Sequence, residues 1–117
     1  MKNEIIFDDY KAAAGTIAEV KLEKDELIVI FKNGNLENHF FKDLKKVAII
    51  TTDQGPFVDD VFWLMHFKNI IMIPQGCPGE EKLLERIQRL PSFNNEQIIK
   101  AMSCSENETF VVWELNK

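Results

Sequence analysis

Leu27-Ile28-Val29-Ile30-Phe31-Lys32-Asn33-Gly34-Asn35-Leu36-Glu37-Asn38-His39-Phe40-Phe41 is the stretch that decides how the chain is read. Its first five residues are apolar and rich in β-branched and aromatic side chains, which suits a pleated, half-buried surface. Asn33-Gly34 then gives the strongest short hairpin signal, because both residues accept the positive φ of a type I′ turn. The chain returns antiparallel, with Leu36, Asn38 and Phe40 sharing one face.

Working outward, strict alternation marks a strand before this hairpin. Ala18, Val20 and Leu22 alternate with Glu19, Lys21 and Glu23, and Lys24-Asp25 turns the chain. After it, Asp43-Leu44-Lys45-Lys46 reads as a polar corner. Val47-Ala48-Ile49-Ile50-Thr51-Thr52 is apolar and β-branched enough to be a central strand. Asp53-Gln54-Gly55-Pro56 is a turn. Residues 61–67 and 70–73 form a further strand pair around Lys68-Asn69, strand being preferred over helix for their aromatic and β-branched content. Residues 1–15 are ambiguous: Asp9-Tyr10-Lys11-Ala12-Ala13-Ala14-Gly15 reads either as one helical turn stopped by Gly15 or as a loose lead-in.

From Gln75-Gly76-Cys77-Pro78-Gly79 onward the period becomes helical. Leu83, Leu84, Ile87 and Leu90 stripe a helix over 79–90, with Glu80 and Glu81 at its positive end and Arg86 and Arg89 toward its negative end. Pro91 stops it. A second helix over 94–104 is announced by Asn94 as N-cap, Gln97 three residues on, and the staple pair Phe93 and Ile98; Ile98, Ile99 and Met102 are its expected buried stripe. Residues 109–115 close the chain as a strand, with Phe110, Val112 and Glu114 on one face and Val111, Trp113 and Leu115 on the other. The fold class is therefore α+β: an antiparallel β-meander of about six strands, two short helices and a final strand, in one domain over 1–117. A strongly twisted meander plugged by helices is similar to a pleckstrin-homology-like partial barrel, although the strand after the helices departs from that pattern.

Composition narrows the function classes. The chain has 117 residues, 45% hydrophobic and 28% charged, with nine Phe and two Trp, enough for one ordinary core without a staple. Its net charge of −5 and lack of a basic stripe argue against nucleic acid, where clustered Lys and Arg supply the affinity, and against an anionic membrane surface. The apolar run Ile5-Ile6-Phe7 is too short for a signal peptide or a membrane span. The expected location is the cytoplasm, with reduced thiols and no cofactor.

Each candidate site has a plain structural alternative. Asp53, Gln54, Asp59 and Asp60 crowd one loop whose oxygens suit a hard cation, but the spacing of a calcium loop is missing and turn chemistry explains the same residues. His39 and His66 fall on the third and fifth strands, where a zinc site would need Cys77, Cys104 or Asp60 to converge with both; no metal site is expected. Cys77 lies just ahead of a helix N-terminus, which lowers a thiol pKa, and a Cys77–His66 pair would be a nucleophile and its base. Gly-Cys-Pro-Gly is equally ordinary strand-to-helix punctuation. Trp63 and Trp113 are strand aromatics, suited to a core or to a binding platform.

Thr51-Thr52-Asp53-Gln54-Gly55-Pro56-Phe57, Asp60-Val61-Phe62-Trp63, Ile73-Pro74-Gln75-Gly76, Phe93-Asn94-Asn95-Glu96, Ala101-Met102-Ser103 and Trp113-Glu114 together resemble a family of small bacterial proteins to which no activity is attached. The resemblance spans about residues 45–115. It implies no chemistry, but it draws interest to loop 53–60, with Trp63 beside it, and to Gln75 in loop 75–79 as a shared binding site. The leading expectation is a non-catalytic binding or protein-interaction module, in one version an immunity-type inhibitor of a basic partner, which an acidic surface would steer. The alternatives are a small thiol enzyme using Cys77 and a homo-oligomeric structural protein.

Overall fold

The computed structural model of the chain describes residues 13–52, 61–104 and 106–115. Among these residues, seven strands and two helices follow in the order β1 (Ile17–Leu22), β2 (Glu26–Phe31), β3 (Leu36–Phe40), β4 (Lys46–Thr51), β5 (Val61–His66), β6 (Ile70–Pro74), α1 (Glu80–Gln88), α2 (Asn95–Met102) and β7 (Glu108–Glu114). The expected α+β class and antiparallel pairing are present. The six leading strands form two ladders rather than one: β1-β2-β3 make a three-stranded sheet, and β6-β5-β4-β7 a four-stranded one, with no pairing between β3 and β4.

The break has a local cause. After β3 the chain makes a 3₁₀ turn, Phe41–Asp43, which buries Phe41 and then Leu44 instead of forming a polar corner. The Phe41 N–H donates back to the Asp25 carbonyl (3.0 Å), while the Lys45 N–H donates to the His66 carbonyl (2.8 Å). The chain thus leaves one sheet and enters the other within five residues. The two sheets form no closed barrel.

The inward faces of both sheets meet in one core. Val20, Leu27 and Val29 come from the first sheet, and Val47, Ile49, Trp63, Met65, Ile71 and Ile73 from the second; Leu83 and Ile87 of α1 and Ala101 of α2 close it. The second sheet is apolar on its other face too, where Ala48, Ile50, Phe62, Leu64 and Met72 gather with Ala14. That double burial explains the unbroken apolar runs of β4 to β6, since a strand buried on both sides has no polar face to alternate.

Several finer expectations are corrected. At Asn33-Gly34 only Gly34 has positive φ (93°), and the Gly34 N–H donates to the Phe31 carbonyl (2.9 Å). The hairpin is a three-residue loop of the turn-plus-left-handed-residue kind, not a two-residue type I′ turn. In β7 the register to β4 shifts between Val47 and Ala48, so a bulge puts Val112 and Trp113 together in the main core with Phe110 packed against it and leaves Val111 on the opposite face. In α2 the core-facing stripe is Ala101, buried, and Ile98, partly buried, whereas Ile99 and Met102 are exposed. Residues 1–12 of the lead-in lie outside the described residues.

Candidate functional site

Gln75, Trp63 and Cys77 turn out to belong to one structural joint. Trp63 is buried, and its indole N–H donates to Glu80 Oε2 (2.6 Å). The other oxygen of the same carboxylate accepts from the Gly76 N–H (3.4 Å). One side chain at the start of α1 thereby ties the helix to β5 and to the loop. The Val20 N–H donates to the Pro78 carbonyl (2.9 Å), linking that loop to the edge of β1. Gln75 is exposed and its amide reaches Met102 Sδ (3.6 Å).

The thiol of Cys77 is buried within the main core, an apolar setting that does not favour the thiolate a nucleophile needs. The structure does not bring His66 to it. The Gln75 N–H donates to the carbonyl of Val61, at the start of β5, whereas His66 pairs with Ile70 at the far end of that ladder. Five residues of strand separate the two ends, about 16 Å at roughly 3.3 Å per residue. Asp53, Gln54, Asp59 and Asp60 lie outside the described residues. Among the described residues no three His, Cys, Asp or Glu side chains gather as a metal ligand set, and no helix is long and apolar enough to cross a membrane.

A cleft of about 680 Å³ opens where the two sheets part, between β3 and the β5–β6 hairpin. Its volume falls in the range of ligand pockets, roughly 300–1,000 Å³. Ile17, Phe31, Phe67 and Ile71 supply apolar walls, and Glu37, His39, Asp43 and Lys68 supply the charged or titratable groups. Strand alternation places Glu37 and His39 there: they sit opposite Val29 and Leu27, both core residues, so they share the inward face.

The polar groups of the cleft are held in place by their neighbours. His39 Nε2–H donates to Glu37 Oε1 (3.1 Å); the His39 side chain is only 11% exposed, while Glu37 is 53% exposed. The imidazole stacks on Phe67 with centroids 5.0 Å apart and planes at 30°, and Phe41 meets the same ring edge-on at 6.0 Å. Lys68 Nζ lies 4.0 Å from Asp43 Oδ2. A ring ladder thus forms one wall, with two carboxylates at its polar side. Sequence reasoning picked out His39 but not its partners: Glu37, two residues away on the same face of β3, was legible from strand alternation, whereas Phe67 and Asp43 come to the cleft from outside β3.

No family model matches the sequence, and neither curated proteins nor solved structures provide a match.

Proposed function

We propose that the chain is a non-catalytic binding module whose cleft between β3 and the β5–β6 hairpin receives an anchor side chain of a basic partner protein. The observation that carries this reading is the pairing of apolar walls with two carboxylates, Glu37 and Asp43, in one opening. An apolar stem or ring would lie against Phe31, Phe67 and Ile71, and a cationic head would meet the carboxylates. Interfaces concentrate their energy in anchors of this kind, enriched in Arg and aromatic residues. The net charge of −5 supports a basic partner, which long-range attraction would draw in. His39 already donates to Glu37 and is stacked on Phe67, an arrangement suited to a rigid recognition surface.

The test is a titration of the isotope-labelled protein with Nα-benzoyl-arginine amide, which joins an aromatic ring to a guanidinium. Saturable amide shifts should cluster at Phe31, Glu37, His39 and residues 67–71, weaken with added salt, and diminish in Glu37→Lys. Shifts scattered over the surface, or indifferent to the Glu37 substitution, would refute the assignment.

A further inference from the structure

We infer that β3 pairs antiparallel with β3 of a second copy of this chain, joining two three-stranded sheets into one six-stranded sheet. The proposal does not rest on what the cleft binds. It begins with the sheet edges, which natural proteins cover or blunt. The edge of β1 is engaged by the Pro78 carbonyl, which accepts from Val20 N–H, and the edge of β7 by Asn94, whose N–H donates to the Val112 carbonyl. β6 ends in Pro74, which has no N–H to offer. β3, the edge of the first sheet, carries neither Lys nor Pro, and among the described residues no backbone bond to its outer side is found.

The direction of its backbone groups follows from the pairing with β2. Phe31 N–H donates to the Asn35 carbonyl and Phe41 N–H to the Asp25 carbonyl, with Glu37 opposite Val29 and His39 opposite Leu27 between them. Odd-numbered residues therefore bond toward β2. By the alternation of antiparallel ladders, Leu36, Asn38 and Phe40 present their N–H and C=O groups to the open edge. Leu36 is 60% exposed and Phe40 43% exposed, an unusual state for large apolar residues on a strand.

The sequence of the strand names its occupant. Leu36-Glu37-Asn38-His39-Phe40 is complementary to itself when reversed about Asn38. In that register Leu36 faces Phe40 of the second copy, Glu37 faces His39, and Asn38 faces Asn38. The residues brought into bonded pairs are the three whose backbone groups face the edge, giving about six inter-chain bonds, two for each pair. Glu37 and His39 fall in non-bonded pairs, where facing side chains approach most closely and opposite charges attract. Leu36 and Phe40 of the two copies cover each other on the outer face. Such two-fold, self-complementary contacts are the commonest form of protein self-association. Glu37 and His39 of the second copy would project on the cleft side of the joined sheet, setting the two clefts side by side while leaving the walls made by Phe31, Phe67 and Ile71 free.

Light scattering after gel filtration, over a range of concentrations, should give twice the 13.6 kDa chain mass. Leu36→Lys and Asn38→Pro should each return the single-chain mass with an unchanged circular-dichroism spectrum, since neither removes a backbone bond to β2; Asn38→Pro gives up the exposed side-chain bond to Glu26 Oε1 (2.6 Å), which Leu36→Lys keeps. Ile99→Lys, on the exposed face of α2, should leave the dimer intact. Asn38 is the one β3 position facing its own copy, so Asn38→Cys should form a covalent dimer under oxidised glutathione much faster than Leu36→Cys. A single-chain mass at every concentration, a dimer surviving both edge substitutions, or equal cross-linking at the two cysteine positions would overturn the proposal. Leu36→Lys should still bind benzoyl-arginine amide in the cleft, so failure of the pairing and failure of the cleft assignment are separable.

Discussion

Replacing Gly79 with alanine should be far more damaging than the same methyl addition at Gly34 or Gly76. Gly79 precedes α1 at φ 92° and ψ −9°, a left-handed conformation that costs an L-residue about 1–2 kcal/mol. Gly34 and Gly76 share that conformation, at φ 93° and 90°, but a Cβ at either would meet nothing within 4 Å. At Gly79 the added carbon would overlap the Val20 carbonyl oxygen and lie 3.0 Å from its carbon. Both atoms are backbone, so no side-chain rotation relieves the clash. Either β1 or the loop must move, and the bond from Val20 N–H to the Pro78 carbonyl (2.9 Å) goes with it, worth about 1 kcal/mol. With overpacking strain of about 1–3 kcal/mol, the total is roughly 3 kcal/mol or more, against about 1–2 kcal/mol for Gly34→Ala and Gly76→Ala. Urea unfolding measures the difference directly. With a slope near 2 kcal/mol/M, Gly79→Ala should lower the midpoint by about 1.5 M or more and the two controls by about 0.5–1 M. If Gly79→Ala unfolds at the same midpoint as Gly34→Ala with equal slopes, the close approach of loop 75–79 to β1 is wrong.

Glu80→Ala should cost about 2 kcal/mol, because it strands the buried Trp63 indole N–H; thermal melts of Glu80→Ala, Trp63→Phe and the double variant should show non-additive losses. Met65→Ala, at a fully buried core position, should lose about 2–5 kcal/mol, whereas Ile99→Ala, 66% exposed, should stay within about 0.5 kcal/mol in the same denaturation series. Asn94→Ala removes the side-chain acceptor for the Gln97 N–H (3.2 Å) and should lower stability by about 1 kcal/mol, read as a reduced melting temperature.

What the residues revealed depended on whether the deciding contacts were local. The Asn94 cap is written within four residues and is present as read, its side chain accepting from Gln97 N–H. The hairpin at Asn33-Gly34 exists for the same reason, although its turn type was not legible: the Asn33 side chain accepts from the Asn35 N–H (2.9 Å), a local bond that keeps Asn33 out of the left-handed region. The phase of α2 was not legible, because Ile98, Ile99 and Met102 satisfy a helical stripe as well as Ile98 and Ala101 do. Only packing against β7 and β4 selects between them. Bulges at Ala18 and Val112 shift side chains across a sheet without any local signature. Cys77 looked reactive because its exposure depends on how loop 75–79 folds back on the core, a long-range fact.

The division into two sheets did leave a trace, in the contrast between β3 and β4. A strand in the middle of a sheet covered on both faces needs apolar residues on both, as Val47-Ala48-Ile49-Ile50 provides. Leu36-Glu37-Asn38-His39-Phe40 has polar residues at three of its five positions, two of them on the inward face. Placed beside β4, it would have put Glu37 and His39 in line with core residues of the second sheet, where a carboxylate is costly to bury. Leaving β3 as an edge keeps Glu37 half in water, but it also leaves the core unsealed on that side. Along β1 and β7 the loop 75–79 and α2 close the gap; beside β3, among the described residues, the stack of His39, Phe67 and Phe41 does so. The polar strand, the cleft behind it and the open edge beside it thus have one cause, and the binding and pairing proposed there draw on the same residues that keep β3 from joining the second sheet.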